Sequence, residues 1–584
     1  MPESHHFAPR PRSRAHSGIV GTTFDTSVID AALADLGAGE KSWAETPFPR
    51  RRALLAELHT RVGRHAADWV TAARAIKHLP ADSPLLGEEW MSGPLAVLQA
   101  AEALQRTLAV LEAGYSPLDG LALSAAPGER VAVPILPFGG YDRLLLNGFR
   151  GEVWLRPGID AATARRDAGL AQRDPGATAG IGAVLGAGNI TSIPPLDVLT
   201  ELFAHNRVVA LKLNPITDPL LPVLEQVFAP FLELGALRIL TGGAEAGEYL
   251  VHHPAVAHVH MTGSARTHDA VVFGGGPGGA ARKQAKDPLL DKPITSELGG
   301  VSPAIVVPGE WSDADLRYQA GHIATQRLHN GGYNCVATQV VVIGAHWPQK
   351  DRFLAELRDA LDRAPGRSAY YPGSDARVAE ALAAYPAAER RGPDRGRVLL
   401  ESATGPALRT EYFAPVLGIV ELPHEGGEFL YRAVEFANNE LAGTLGANVI
   451  VHPRARRRLG LAFTGAIERL RYGTVAINAW TALAFLAPRA TWGAFPGHTL
   501  DDVQSGIGVV HNALLLADVE RTVVSGPFRP APRALSAGEF ALAPTPPWFV
   551  DNRTATATAR RLTEFYAAPN PRLLPGIFAS ALRG

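Results

Sequence analysis

The residue best placed for chemistry is Cys335, the only cysteine among 584 residues. It follows Gly331 and Gly332 and precedes the β-branched run 339–343, which predicts a buried strand. A thiol on a glycine-containing loop just before a strand is placed to act as a nucleophile. Free cysteine is also among the most buried residue types, so Cys335 could equally be a small core side chain. The stretch alone leaves both interpretations open.

Three further polar side chains stand where apolar runs give way to loops. Asn189 follows the run 181–185, and its amide could donate a hydrogen bond to a developing oxyanion. Lys212 ends the next apolar run, and the carboxyl end of a strand is where open α/β sheets bind ligands. Glu297 is a carboxylate followed closely by two glycines. Taken singly, each could instead be a helix cap, a solvated charge or a turn residue.

The elements that would position these residues follow from the hydrophobic pattern. Residues 26–114 are predicted to be helical, because leucines recur there at helical spacing. Two strand-like runs follow, 130–136 and 141–155, joined by a turn that contains Pro137. From residue 181 onward, short apolar strands alternate with helices, which indicates βαβ units on a parallel sheet. The predicted fold class is therefore α/β.

Three segments of the second half carry separate expectations. A glycine-rich stretch, 273–281, is predicted to be a flexible loop, because its glycines lack the spacing of a phosphate-binding loop. Residues 514–524 are predicted to form an edge strand. From residue 527 the chain is rich in proline and contains one predicted helix, 554–566. This extension is either packed on the protein or a tether.

Charge and hydropathy exclude several classes of partner. The chain has 56 basic and 57 acidic side chains, so no global field attracts it to nucleic acid or to an anionic membrane. It has no apolar run of about 18 residues, so no membrane span is expected. Residues 1–25 lack the apolar core of a signal peptide and are predicted to be a disordered tail.

The number of cysteines and the positions of the histidines limit the possible disulfide and metal sites. One cysteine cannot form an intramolecular disulfide or a thiolate zinc site, which favours a reducing cytoplasm. His258 and His260 alternate along a predicted strand, but no carboxylate partner is spaced to join them. No metal site is therefore predicted.

In combination, the polar residues carry a more specific signal than they do singly. From residue 43 to about residue 524, the chain resembles the aldehyde dehydrogenase superfamily through eight blocks in the same order. The blocks are residues 186–194 around Asn189, Lys212-Leu213-Asn214-Pro215, Met261-Thr262-Gly263-Ser264, Glu297-Leu298-Gly299-Gly300, Asn334-Cys335, Glu411-Tyr412-Phe413-Ala414-Pro415-Val416, residues 473–478 and Ser505-Gly506-Ile507-Gly508.

The resemblance implies NAD(P)-dependent oxidation of an aldehyde to a carboxylic acid. Cys335 would be the nucleophile that forms a thiohemiacetal and then a thioester. Asn189, with the backbone N–H of Cys335, would stabilise the oxyanion. Glu297 would be the general base for the thiol or for the water that releases the acid. A partly buried glutamate suits this role, because burial raises its pKa towards neutrality.

The resemblance also implies a bound NAD or NADP. Lys212 and Glu411 would hold ribose hydroxyls, Phe413 would lie against the nicotinamide, and Gly263 with Ser264 would open a helix towards the pyrophosphate. The implied cofactor-binding set is Lys212, Pro215, Gly263, Ser264, Leu298, Glu411 and Phe413. Pro215 replaces a glutamate common in NAD-preferring relatives, so we expect NADP to be tolerated or preferred.

Two departures and two alternatives accompany this interpretation. Residues 266–269 lack the glycine usual after Gly263-Ser264, and Val509-Val510 replaces a usual Arg-Glu pair linked to proton relay.

One alternative is a CoA-acylating aldehyde dehydrogenase or acyl-CoA reductase, against which the retention of Glu297 argues. The other is a catalytically silent member of the family.

The expected architecture is a Rossmann-type cofactor domain, an α/β catalytic domain and a small β element for oligomerisation. Residues 26–129 and 156–298 would form the dinucleotide-binding domain, and residues 299–506 the catalytic domain. Residues 130–155 and 507–526 would bridge subunits, as the resemblance implies for a homodimer or homotetramer. Residues 527–584 form an extension beyond the usual end of the family.

Overall fold

The computed structural model describes residues 25–536 and 538–584. Within them, strands form one sheet of eleven, one of six and a two-stranded ribbon, with helices packed around the sheets. The α/β fold class is confirmed. The predicted tail, residues 1–25, lies outside the described residues except for Asp25.

The strands and helices have the following bounds. The strands are β1 (Ser124–Ala126), β2 (Arg130–Leu136), β3 (Arg150–Leu155), β4 (Ile181–Leu185), β5 (Val208–Lys212), β6 (Leu237–Leu240), β7 (Val256–Gly263), β8 (Ile294–Leu298), β9 (Ser302–Val306), β10 (Thr338–Gly344), β11 (Glu389–Arg391), β12 (Arg397–Leu400), β13 (Val416–Leu422), β14 (Gly446–Ile450), β15 (Thr474–Ile477), β16 (Thr491–Trp492), β17 (Gly506–Ile507), β18 (Val510–His511) and β19 (Val519–Ser525). The α-helices are α1 (Ser27–Ala44), α2 (Phe48–Ile76), α3 (Leu86–Trp90), α4 (Ala96–Glu112), α5 (Gly140–Leu145), α6 (Ala161–Asp167), α7 (Ile193–Phe203), α8 (Leu221–Glu233), α9 (Ala244–His252), α10 (Ala265–Phe273), α11 (Gly276–Ala285), α12 (Asp313–Leu328), α13 (Lys350–Arg363), α14 (Ser374–Ala384), α15 (Pro406–Arg409), α16 (Gly426–Glu440), α17 (Pro453–Leu459), α18 (Leu461–Arg469), α19 (Ala482–Leu486), α20 (Arg533–Ser536), α21 (Ala555–Ala567) and α22 (Leu574–Ala581). A wide turn, Met91–Leu95, joins α3 to α4, and short 3₁₀ segments occupy Leu170–Arg173, Pro215–Leu220, His329–Gly332 and Pro571–Leu573.

The six-stranded sheet has the order β17-β8-β7-β4-β5-β6. Its five longer strands are parallel, and β17 adds antiparallel at one edge. The residues of β5 are all buried, as expected of a parallel strand that is covered on both faces. The chain moves from β4 through β5 to β6 and then returns to β7 on the other side of β4. The carboxyl ends of β4 and β7 therefore define a topological switch point, where such sheets bind ligands.

The helices before the first strand cover this sheet, as the leucine spacing predicted. Helix α2 buries Leu54, Leu55, Leu58 and Val62 on one face. These side chains share one hydrophobic core with the apolar residues of β4 and β5. The buried Arg51 guanidinium lies over the Trp43 ring and donates hydrogen bonds to side chains and carbonyls around it.

The eleven-stranded sheet has the order β1-β2-β3-β19-β15-β14-β9-β10-β13-β12-β11. The prediction of an edge strand over 514–524 was wrong. Strand β19 begins at Val519 and lies inside the sheet, antiparallel to β3 and parallel to β15. Residues 514–518 instead form a loop in which Leu515 and Asp518 have positive φ. The predicted bridging strands therefore continue the large sheet of their own chain.

Two other local predictions were wrong for identifiable reasons. The segment 141–155 begins with α5, because the Asp142 carboxylate accepts from the amides of Phe138 and Gly139 and caps that helix. The supposed loop 273–281 contains the end of α10 and the start of α11. Proline in the first turn of α11 suits a helix start, where its missing N–H is not needed.

The extension after β19 packs on the rest of the protein. The predicted helix 554–566 is confirmed as α21. The Thr556 hydroxyl lies within hydrogen-bonding distance of the carbonyls of Ser83 and Pro84, and the Val550 amide donates to Thr325. In the described part of the chain, no helix is long and apolar enough to cross a membrane.

Candidate active site

The loop that carries Cys335 is shaped by three consecutive left-handed residues. Asn330, Gly331 and Gly332 have φ values of 54°, 69° and 84°, and they end the α12 region before β10. At Gly331, a β-carbon would press against the Tyr333 ring, so glycine is required there for space as well as for conformation. The turn leaves Cys335 partly buried, three residues before the strand.

The loop that carries Asn189 is held against the Cys335 loop by direct hydrogen bonds. The side-chain amide of Asn189 donates to the carbonyl of Tyr333 at 2.9 Å. The side-chain amide of Asn330 in turn reaches the carbonyl oxygens of Asn189 and Tyr333. The predicted oxyanion donor Asn189 therefore lies beside the loop of Cys335. An amide carries two N–H donors, so one hydrogen of Asn189 remains for a substrate oxygen.

The thiol of Cys335 faces the carboxyl group of Glu297, the penultimate residue of β8. Burial is the main cause that raises the pKa of Glu297 to about 7, and the charge of Asp197 acts in the same direction. Interactions with the Cys335 thiol and the Trp492 indole oppose the rise. Burial and the charges of Glu297 and Glu411 raise the pKa of Cys335 well above its usual value. The resting site therefore holds a protonated thiol next to a carboxyl group that titrates near neutral pH.

Glu411 is a second carboxyl group at this centre. Burial and the charge of Glu297 raise its pKa to about 8, while Arg327 and Arg377 act in the opposite direction. A β-carbon at Gly299 would collide with the Glu411 carboxylate, so the glycine leaves room for it. The resemblance assigned Glu411 to a cofactor ribose. In the structure, its charge also acts on the Cys335 thiol.

A buried ionic cluster of Lys77, Glu88, Glu89 and Arg367 contacts the Cys335 loop. The Glu88 carboxylate accepts hydrogen bonds from the Asn330 backbone at 2.9 Å and from Arg367. Lys77 and Glu89 form an adjoining ion pair at 2.8 Å, in which both side chains are at most 1% exposed. A charge that is buried without a partner is costly, so each member of this cluster depends on the others.

Tyr370 connects the ionic cluster to the two loops. Its hydroxyl lies 3.1 Å from the carbonyl of Asn189 and 3.0 Å from the side-chain oxygen of Asn330. Sequence reasoning missed this cluster, because its members come from distant parts of the chain. The available signal was the charged pair Glu88-Glu89 inside an otherwise apolar segment.

The two histidines of β7 have the carboxylate partners that the sequence interpretation denied them. His258 lies 3.5 Å from Glu201, and His260 lies 3.5 Å from Asp197. Both acids come from α7, four residues apart and on one helix face. Thr262, paired in register with Glu297, donates to Asp197 at 3.0 Å. Among the described residues, no group of three or more potential ligands is arranged to hold a metal ion.

The implied cofactor-binding residues lie mainly at the carboxyl edge of the six-stranded sheet. Lys212 ends β5, and within the described residues its ammonium group has no carboxylate at hydrogen-bonding distance. Gly263 and Ser264 precede α10, whose first turn is exposed to solvent. These features fit a dinucleotide, since an unpaired cation and an exposed helix N-terminus both favour phosphate. Pro215 follows at the start of a 3₁₀ turn.

Leu298 and Phe413 also belong to the implied set. Leu298 ends β8 with its side chain in the hydrophobic core, so only its backbone can reach a ligand. Phe413 has a φ of 43°, which is unusual for a bulky residue, and its ring lies 4.9 Å from that of Tyr371. The aromatic residues Tyr333, Trp480 and Trp492 are all buried around the centre.

Comparison with known proteins gives the site its family context. A family model described as "Aldehyde dehydrogenase family" matches residues 193–372. The 3,6-anhydro-alpha-L-galactose dehydrogenase of Streptomyces coelicolor is 24% identical over 335 residues, which is 57% of this chain and 54% of that protein. Betaine aldehyde dehydrogenase 1 of Rhizobium meliloti is 33% identical over 143 residues, which is 24% of this chain and 26% of that protein. The chain thus spans about a quarter to a half of the length of these curated relatives.

Solved structures share the fold over most of the chain. The gamma-glutamyl-gamma-aminobutyraldehyde dehydrogenase of Burkholderia cenocepacia aligns with a TM-score of 0.57 at 18% identity, covering 85% of this chain and 88% of that one. The NADP-dependent glyceraldehyde-3-phosphate dehydrogenase of Bacillus halodurans aligns with a TM-score of 0.55 at 17% identity, covering 86% and 92%. Residues 193–372 thus match the model of the aldehyde dehydrogenase family, and the chain shares the fold of these solved aldehyde dehydrogenases.

Proposed function

We propose that the protein oxidises an aldehyde to a carboxylic acid, with NAD or NADP as the hydride acceptor. The observation that carries this proposal is the Cys335 thiol facing a buried Glu297, whose pKa is raised to about 7. A base with a pKa near the working pH is the most effective proton acceptor for a thiol. The catalytic set is Cys335, Glu297 and Asn189.

The first half of the reaction forms a bond to sulfur. The Cys335 sulfur attacks the aldehyde carbon, and the thiol proton passes to Glu297. The carbonyl oxygen takes the negative charge next to the side-chain amide of Asn189, whose second N–H is available to it. A bound nicotinamide would accept the hydride that leaves the substrate carbon, and a thioester would remain on Cys335.

The second half of the reaction releases the acid. Glu297 first returns its proton to solvent and then takes a proton from water as the water attacks the thioester carbon. The carbon–sulfur bond breaks, and the thiolate regains a proton. Glu297 at this position favours water over CoA as the acceptor, because water needs a base to become nucleophilic at neutral pH.

The cofactor would lie along the carboxyl edge of the six-stranded sheet. Lys212, Gly263 and Ser264 supply a cation and helix N–H groups there, and Glu411, Phe413 and the Leu298 backbone border the catalytic end. No carboxylate stands at position 215, so a 2′-phosphate near Lys212 would not meet the repulsion that a glutamate at that position would exert. We therefore propose that NADP is accepted at least as well as NAD.

The remaining expectations are part of the same proposal. Residues 26–129 and 156–298 would act as the cofactor domain, residues 299–506 as the catalytic domain, and residues 130–155 and 507–526 as the element that joins subunits in a homodimer or homotetramer. The cytoplasm suits an enzyme whose only thiol must stay reduced. Light scattering of the purified protein would measure its oligomeric state.

The test of the proposed function is the formation of reduced nicotinamide from a panel of aldehydes. NAD and NADP would each be tried with and without CoA. We expect turnover without CoA, lost in Cys335→Ala. Turnover only with CoA would assign the acylating reaction instead, and turnover that persists in Cys335→Ala would exclude the covalent route.

A further inference from the structure

A large cavity lies away from the catalytic residues, under the C-terminal extension. Its volume is about 490 Å³, within the range of about 300–1,000 Å³ typical of small-molecule sites. Its walls come from α4, the segment 135–149, the segment 483–489 and the extension. None of Cys335, Glu297 and Asn189 lines it.

The cavity walls are mainly apolar. Leu95 and Met91 line one side, and Trp548, Phe565 and Ile577 of the extension line another. The latter three side chains follow residue 524, where the resemblance to the family ends. The extension therefore supplies part of the wall of this apolar cavity.

Arg489 is the charged group of this wall that has no hydrogen-bonding partner among the described residues. The residue is 5% exposed, and within the described residues its guanidinium makes no hydrogen bond or ion pair; it faces the Phe138 ring. Burial lowers its pKa to about 9, so it stays charged at neutral pH. The other charged groups are paired: Asp142 binds Tyr566 and backbone amides, and Arg106 binds Glu102.

A second polar group in the cavity wall also lacks a partner. The hydroxyl of Thr558 on α21 is buried without a hydrogen bond. A buried guanidinium with five unused donors is a costly feature unless an acceptor is supplied. A carboxylate is the natural acceptor, because its two oxygens match the guanidinium fork.

We propose that this cavity binds a hydrophobic molecule with a single carboxylate, and that the carboxylate pairs with Arg489. The apolar chain of the ligand would fill the space between α4 and the extension. The inference goes beyond the proposed function and does not depend on it. The ligand could be the acid product of the enzyme or a separate effector, since both share this chemistry.

Calorimetric titration with dodecanoate and with dodecanol tests the proposal. We expect wild type to bind one dodecanoate, and Arg489→Met to weaken that binding about tenfold to a hundredfold, as for loss of a charge-assisted hydrogen bond. Dodecanol should bind both proteins alike. Arg143→Met is the control, because Arg143 is an exposed cation on α5 that does not line the cavity. It should leave dodecanoate binding unchanged.

Two further variants separate this site from folding and from catalysis. Ala543→Phe fills the cavity and should abolish the binding of both probes while the protein stays folded by circular dichroism. Cys335→Ala should bind dodecanoate as wild type does, whatever the enzyme activity proves to be. No dodecanoate binding to wild type, or equal binding to wild type and Arg489→Met, would overturn the proposal. Competition between dodecanoate and the aldehyde in turnover would identify the ligand as product, and inhibition without competition would identify an effector.

Discussion

Replacing Glu297 with glutamine should change how the stability of the protein depends on pH. The pKa of this carboxyl group rises from 4.5 to about 7 on folding. Above pH 4.5 the unfolded chain loses the proton while the native state keeps it, so wild type loses stability as the pH rises to about 7. Each unit of difference between the native and unfolded pKa corresponds to about 1.4 kcal/mol, so the rise from 4.5 to about 7 lowers the free energy of unfolding by about 3 kcal/mol. Glutamine has the same shape and no charge, and it removes this loss.

The measurement is the free energy of unfolding in urea for both proteins at pH values from 5 to 8. The variant should match wild type near pH 5 and exceed it by about 3 kcal/mol at pH 8. The charge of Glu297 also raises the pKa of Glu411, so its removal acts in the same direction. Glu310→Gln, at an exposed glutamate, should show no pH-dependent difference. A constant difference, or a variant less stable than wild type at pH 8, would refute the reasoning.

Two other substitutions test the ionic cluster and the cofactor edge. Arg367→Met leaves the Glu88 carboxylate buried without its cation and should cost about 3–5 kcal/mol of unfolding free energy and lower turnover. Adding Glu88→Leu should recover part of that stability, whereas no recovery would mean that Arg367 acts through packing alone. Pro215→Glu should shift the ratio of specificity constants towards NAD by about tenfold or more, measured as kcat/KM for each coenzyme. An unchanged ratio would remove residue 215 from coenzyme selection.

The sequence predicted the parts of the site that depend on local pattern. Cys335, Glu297 and Asn189 stand at strand–loop junctions, and the structure brings these three side chains to one place. Helix α21 was also predictable, since helices depend mainly on local spacing. Strand β19 was misplaced at an edge, because the partners of a strand are distant in the chain and leave no local trace.

The charge clusters were unpredictable for the same reason. Glu88 and Arg367 are separated by 279 residues, and only the fold brings them together. The partners of His258 and His260 left a usable signal, since Asp197 and Glu201 stand four residues apart on one helix. The glycine-rich segment was predicted as a loop because glycine is a poor helix former, but α11 begins with glycine and proline at positions that tolerate them.

The most direct test of covalent catalysis by Cys335 is the intact mass of Glu297→Gln after incubation with NADP and an aldehyde that wild type oxidises. The variant also lacks the acceptor of the thiol proton, so the thioester should form more slowly than in wild type, but it should then accumulate because the base that activates water is missing. The protein should gain one acyl group, the mass of the aldehyde less two hydrogens, located on Cys335 by peptide mapping. An unmodified protein that nevertheless forms reduced nicotinamide, or an acyl group on any other residue, would contradict the account.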